Sequence, residues 1–174
     1  MEARGSAGDR GMVIWVSPVE LLMRVIDRSW SVVRHLVRGH VLIYRASGGR
    51  LGQHVPLTPP MLLLDHVGAK SGTPRTTPLC YMPDGDRYIV VAAKGGHPEN
   101  PAWLHNLRAH PSVTVQIGTR RVEMTARELT AEEHRTLWPR ALDYTSHWRR
   151  YARRVPPSRT IPLVALEPPT RSSP

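Results

Sequence analysis

Two tight turns constrain this chain more than any other feature in it. In "LCYMPDGDRYIVVAAK" the pair Asp84-Gly85 sits between two apolar runs, and Asp-Gly supplies the positive φ that a hairpin needs. Further on, "SVTVQI" alternates with Val113, Val115 and Ile117 on one face, and "RVEMTA" mirrors it across a Gly118-Thr119 turn. Each turn predicts an antiparallel pair. "MLLLDHV" (61–67) reads as a further buried strand, and "TIPLVAL" (160–166) as the last. Helix signals fall between and outside these runs. Asn100-Pro101 opens a short helix with Trp103, Leu104 and Leu107 on one side, which His110-Pro111 closes. Thr130 and Glu133 form a capping box ahead of "HRTLWPRAL". The pattern predicts an α+β fold: an antiparallel sheet closing into a small barrel, with helices at its periphery.

The N-terminal quarter reads differently. "SPVE" places Ser17 as N-cap, Pro18 in the first turn and Glu20 closing a capping box. Leu21, Leu22, Val25, Ile26, Val32, Val33 and Leu36 then recur at helical spacing, opposite Arg24, Asp27, Arg28, Ser31, Arg34 and Arg38. This predicts an amphipathic helix with a basic polar side. A short strand is expected in "GHVLIYRASGG", then a loop. The expected organisation is a tail over 1–16, helix and loop over 17–57, the barrel domain over 58–168, and a tail over 169–174.

Charge narrows the partners. Lys and Arg number 24 against 14 acids, for a net +10. Such a balance attracts nucleic acid, a membrane surface, or a phosphorylated or carboxylated small molecule. The cations divide between the helix face, "WRRYARR" and two glycine turns, instead of interleaving with aromatics along one surface, so nucleic acid is not expected. One cysteine builds no disulfide framework, and no apolar run approaches the ~18 residues of a membrane span. A cytoplasmic protein is expected, with the basic helix offering peripheral contact to an anionic membrane. No metal is expected, since H-E-x-x-H and C-x-x-C spacings do not occur. There is no Walker loop, no G-x-G-x-x-G after a strand and no G-x-S-x-G elbow. Cys80, inside a strand, reads as an inert buried thiol.

Two polar connections remain, "GAKSGTPRTTP" and "AAKGGHPENPAW". The first puts Lys70 and Arg75 into the turn between two core strands; the second holds Lys94 beside two glycines and ends at a helix start. Successive amides in such turns form concave anion sites, and a helix N-terminus adds to the field. The residues themselves indicate a site for an anionic small molecule.

Four ordered blocks resemble the deazaflavin-dependent nitroreductase family, actinobacterial oxidoreductases that use coenzyme F420. They are "GAKSGTPRTTPL", "YIVVAAKGGHPENPAWLHNLRAHPSVTVQ", "ARELTAEEHRTLWP" and "SRTIPLVALEP". The resemblance runs from about residue 58 to 168 and implies a split β-barrel of the FMN-binding type, holding F420 in a groove along the barrel. That cofactor's tail carries a phosphate and a run of glutamates. Lys70, Ser71 and Arg75 match family residues for phosphate and tail, with Ala69 in the same turn. Thr76, Thr77, Pro78, Leu79 and Cys80 match the strand beside the deazaflavin ring, and Val91, Ala92, Ala93 and Lys94 the second wall. Ala102, Trp103, Leu104, His105 and Asn106 match the helix that completes the groove. The implied reaction is hydride transfer from reduced F420 to a small electron-poor acceptor such as a quinone. FMN is the alternative cofactor and a basic non-enzymatic binding protein the alternative class.

The chain also departs from the family pattern. Members that reduce nitroimidazoles carry tyrosine at the position of Cys80, serine at that of Ala93, and a tyrosine cluster aligned with "DYTSHWRRYARR". The substrate-side tyrosine of that cluster matches Trp148; Tyr144 and Tyr151 keep their aromatic rings. An indole donates one hydrogen bond but is no acid near neutral pH. Trp148 and Tyr151 are the expected substrate-pocket residues.

Overall fold

A computed structural model describes residues 30–54 and 58–169. The chain divides into two units, residues 1–36 and 37–174. Of the first, only residues 30–36 are described, as helix; the expected start at Ser17 lies outside the described residues. That helix, α1 (Trp30–Ala46), runs on into the second unit. It takes in most of the segment expected as a strand. Gly39 does not stop it, because helical spacing continues through Val37, His40, Val41 and Tyr44, and Tyr44 is fully buried. The Tyr44 hydroxyl donates to the Met61 carbonyl (3.1 Å) and accepts from the Gly118 amide (3.1 Å). The glycine that ends the helix is Gly49: its φ is +79°, and its amide reaches back to the Tyr44 carbonyl at 2.8 Å. A Cβ there would lie 2.5 Å from the Gly118 Cα, so only glycine fits.

The second unit is a six-stranded antiparallel barrel of β1 (Met61–Val67), β2 (Pro74–Asp84), β3 (Arg87–Val91), β4 (Ser112–Ile117), β5 (Arg120–Glu128) and β6 (Leu163–Glu167). It closes in the order β1-β2-β3-β6-β5-β4. Both predicted hairpins are present: Gly85 at φ +65° joins β2 to β3, and Gly118 at φ +59° joins β4 to β5. The closing seam is short. β1 and β4 pair only over Leu63–Asp65 against Thr114–Gln116, although both strands extend further. The barrel is therefore split between His66-Val67 and Ser112-Val113.

Alternation sorts the side chains. Leu62, Leu64, Tyr81, Val90, Val113, Val115, Met124 and Leu166 fill the barrel. On the outside, Met82, Ile89, Leu163 and Ala165 pack against α3 (Ala131–Tyr144) and α4 (Ser146–Arg154) through Leu137, Ala141 and Trp148. The predicted capping box at Thr130 and Glu133 opens α3 with both of its hydrogen bonds. The helix α4 had no element assigned from its sequence; Thr145 caps it through the His147 amide at 3.1 Å. The helix after Asn100-Pro101 is α2 (Ala102–Ala109), and it plugs one end of the barrel with Trp103, Leu104 and Leu107.

Candidate active site

Antiparallel order brings the two polar connections to the end of the barrel that α2 plugs. β1 and β3 finish there and β2, β4 and β6 begin, so turn 68–73, loop 92–101 and α2 meet.

The turn uses four of its six amides internally. Gly68 donates to the Thr73 carbonyl (3.0 Å), Gly72 to the Gly68 carbonyl (2.9 Å), Thr73 to the Ser71 hydroxyl (3.3 Å), and Ala69 to the Asn106 side chain (2.9 Å). Among the described residues, the amides of Lys70 and Ser71 have no hydrogen-bond partner. A Cβ at Gly68 would lie 2.6 Å from Ser71 Oγ and 3.3 Å from Arg75 Nε, so hydroxyl and guanidinium converge over a bare backbone. Among the described residues, neither Lys70 nor Arg75 forms an ion pair. Arg75 is not in the turn as expected. The ladder pairs Val67 with Pro74 and His66 with Arg75, so β2 already starts at Pro74. Proline is tolerated as the first residue of a strand because no ladder donor is needed there.

Beneath the turn lies a buried chain of hydrogen bonds. Asn106 Oδ1 accepts from the Ala69 amide, which leaves its Nδ2 to face His66 Nδ1 at 3.1 Å. His66 Nδ1 must then accept, and Nε2 donates to Thr77 Oγ1 at 3.0 Å. One amide proton thus sets the orientation of Asn106 and the tautomer of His66. Burial pushes the His66 pKa below its usual 6.5, and the nearby charge of Arg75 lowers it further. Asn106, one of the residues expected at the cofactor groove, holds the turn through these hydrogen bonds.

The second connection is braced as firmly. Ala92 and Ala93 are buried just beyond β3, and three consecutive residues take left-handed φ: Lys94 (+49°), Gly95 (+68°) and Gly96 (+89°). For a lysine this is uncommon, and such backbone persists only where its surroundings enforce it. Arg159 supplies the enforcement, donating to the Ala92 carbonyl (2.9 Å), the His97 carbonyl and Asn100 Oδ1 (2.9 Å). Lys94 Nζ lies 3.0 Å from Glu99, whose carboxyl is held below the usual range by that contact. Gly96 abuts α4, where an added Cβ would meet Arg154 Cβ at 2.7 Å.

The predicted residues therefore fall into four groups. Ala69, Lys70 and Ser71 lie in the turn, with Arg75 at the start of β2 and Thr76 and Pro78 following on that strand's outer face. Ala92, Ala93 and Lys94 form the opposite rim, and α2 shows Ala102 and His105 to solvent. Trp103, Leu104, Leu79 and Thr77 point into the barrel. Cys80 and Val91 face outward under α4, beside Tyr151; Trp148 is only 3% exposed in that contact. Burial raises the Tyr151 phenol pKa and pushes the Cys80 thiol up to about 11. His66, Gly68 and Arg159 were not singled out from sequence. Alternation along "MLLLDHV" does turn His66 inward with Leu62 and Leu64, but nothing local to Arg159 points to loop 92–101.

A split antiparallel barrel with a cationic turn and a glycine-rich loop at its plugged end offers a site for an anionic small molecule. Comparison with known proteins is more specific. The family model for F420H(2)-dependent quinone reductase matches residues 36–168. The F420H(2)-dependent quinone reductase Rv1261c of Mycobacterium tuberculosis is 42% identical over 148 residues, spanning 81% of this chain and 98% of that protein. Among solved structures, an F420-H2 dependent reductase (FDR-A) matches at 37% identity with a TM-score of 0.56, over 66% of this chain and 98% of that one. A second, described as a domain-swapped dimer, matches at 32% identity with a TM-score of 0.58, over 87% of this chain and all of that one. The chain belongs to the F420H(2)-dependent quinone reductase family. It is an oxidoreductase, and its cofactor is coenzyme F420.

Proposed function

We propose that the chain reduces a quinone-type acceptor with reduced F420, bound across the plugged end of the barrel with its phosphate on the turn at 68–73. One observation carries this reading: Ser71 Oγ and Arg75 Nε converge over Gly68, next to two uncommitted amides and the unpaired Lys70. This donor set suits a phosphodiester: the guanidinium can make paired contacts to two oxygens while the lysine acts as a point charge. Across the plugged end the loop presents Lys94 on the opposite rim, with Ala92 and Ala93 buried beneath it. When bound, reduced F420 supplies hydride from a ring carbon that replaces the reactive nitrogen of a flavin.

The protein's own residues hold and orient. Lys70, Ser71 and Arg75 fix the phosphate; Thr76 and Pro78 form one side of the ring's path, and Lys94 closes the other. Reduction of a quinone takes up a proton as well as hydride. The Tyr151 phenol is protonated at neutral pH and can donate at the outer face of β2, while burial raises its pKa and makes it the weaker acid. Trp148 positions Tyr151 by filling the contact between α4 and the sheet.

Fluorescence titration with F420, FMN and FAD tests the assignment. F420 should bind most tightly, and Arg75→Ala should weaken it about ten- to a hundredfold, from the loss of one charge-assisted contact worth about 1.5–3 kcal/mol. Turnover at saturating F420 should stay within about twofold of the parent. Tight FMN binding without F420 binding, or an Arg75→Ala enzyme that binds normally, would sink it.

Along α1, Leu42 and Ile43 stand exposed beside Arg38 and Arg45. This supports a reading in which the helix rests on an anionic membrane surface. Sedimentation with anionic vesicles tests it; a Leu42→Ser, Ile43→Ser variant that sediments unchanged would exclude the helix. Among the described residues, no helix is long and apolar enough to cross a membrane.

A further inference from the structure

One peptide unit anchors the turn at 68–73, the unit between Gly68 and Ala69. Its carbonyl accepts from the Gly72 amide at 2.9 Å, and its N–H donates to Asn106 Oδ1 at 2.9 Å. Held at both ends, this unit cannot rotate, and Lys70 and Ser71 lie inside the loop that it closes. The flanking Gly68 and Gly72 would otherwise leave that loop many conformations. Among the described residues, the bond from Ala69 to Asn106 is the one hydrogen bond that ties the turn to α2.

Asn106 serves Ala69 only while its other end is also satisfied. Its Nδ2 is buried and meets His66 Nδ1 at 3.1 Å, and His66 Nε2 meets Thr77 Oγ1 at 3.0 Å. Burial and the charge of Arg75 favour the neutral ring, so Nδ1 keeps the lone pair that this contact needs. With that acceptor gone, keeping Oδ1 on Ala69 strands the Nδ2 protons in a buried site. Asn106 escapes that penalty only by leaving the turn. His66 also stands opposite Arg75 in the β1–β2 register, so it is adjacent to both the anchored peptide and the guanidinium.

We propose that His66 is a positioning residue for anion binding: through Asn106 it holds the Gly68–Ala69 peptide in the geometry in which Lys70, Ser71 and Arg75 receive a phosphate together. The inference rests on the placement of the phosphate at 68–73. His66 itself is buried and acts on the ligand only through the turn. Its effect is preorganisation: the ordering of a glycine-flanked loop is met by the folded protein and not by the ligand.

Equilibrium binding of F420 by the full chain, read by cofactor fluorescence, tests this in two variants. His66→Leu removes the acceptor, whereas His66→Gln returns an acceptor for Asn106 and a donor for Thr77. His66→Leu should weaken binding about tenfold and His66→Gln by less than about threefold. Equal losses in the two variants, or no loss in His66→Leu, overturn the assignment. Amide exchange in the parent protein gives a second reading that needs no variant. Tether and ligand support each other reciprocally, so saturating F420 should slow exchange at the Ala69 amide about tenfold; unchanged exchange there overturns the coupling. NMR shifts of the Lys70 and Ser71 amides on F420 addition keep the two levels apart. If they do not move, the phosphate placement fails and this inference with it. If they move while His66→Leu binds as the parent does, only the role of His66 falls.

Discussion

Replacing Asn106 by aspartate should invert the titration of His66 while keeping the shape of the site. In the parent protein, Asn106 turns its Nδ2 toward His66 because its oxygen is taken by the Ala69 amide. A protonated His66 would then set its Nδ1–H against an N–H donor, inside a site where His66 is 5% and Asn106 8% exposed. The folded protein accordingly favours neutral His66, with Arg75 opposing the imidazolium and Asp65 weakly favouring it. Because the folded pKa lies below 6.5, the stability this contributes is present above pH 6.5 and is lost as pH falls through the folded pKa. Aspartate accepts from both neighbours, so in Asn106→Asp the folded pKa should rise above 6.5. Its stabilisation is then full below pH 6.5 and lost as pH rises through the new value. Asn106→Ala removes the acceptor for the Ala69 amide and the donor for His66 and should cost about 2–4 kcal/mol, the sum of two buried unmet partners at about 1–2 kcal/mol each. For a chain of this size, that corresponds to a Tm lower by about 4–16 °C. An NMR titration of the His66 ring with thermal unfolding from pH 5 to 8 checks both. An unmoved His66 pKa in Asn106→Asp, or a cost below about 0.5 kcal/mol in Asn106→Ala, would refute the hydrogen-bond assignment.

Two further outcomes follow from the same geometry. Arg159→Ala should free loop 92–100, seen as faster amide exchange at His97 and Leu104 with the barrel strands unchanged, because it removes three hydrogen bonds at once; exchange that rises equally in β4 and β5 would show a global effect instead. Cys80, with its thiol pushed up to about 11 by burial, should resist alkylation at pH 8 and react only in denaturant, measured by mass spectrometry.

The barrel was legible because its turns carry the information locally. Asp84-Gly85 and Gly118-Thr119 each admit one chain reversal, and alternation fixes which face goes inward. Where the sequence misled, the deciding contact lay far away along the chain. Gly39 looks like a helix end until Tyr44, five residues on, is seen to bond Met61 and Gly118. A register that pairs Val67 with Pro74 moves Arg75 from turn to strand, and no local signal distinguishes the two. Helix α4 carries four arginines in nine residues, and it is held by Trp148 against a sheet face that only the closed barrel creates.

The same distinction governs the charge. A count of 24 cations against 14 acids says only that anions are attracted. The structure separates arginines with structural work from those without it. Arg87 and Arg127 converge on Glu133 and Glu167 and tie β3 and β5 to β6 and the start of α3. Arg140 joins Asp84, and Arg108 joins Glu128. With their field largely met by carboxylates, these cations contribute little to ligand attraction at a distance beyond roughly the 8–10 Å Debye length of ordinary salt. Among the described residues Lys70 and Arg75 have no such partner, and the Ser71 hydroxyl and Arg75 Nε both lie over Gly68. Their cost in self-repulsion is not offset within the described protein, so an anionic ligand at the turn gains what the fold leaves unmet. That is the electrostatic reason to place the cofactor's phosphate there, and it depends on pairing that composition does not reveal.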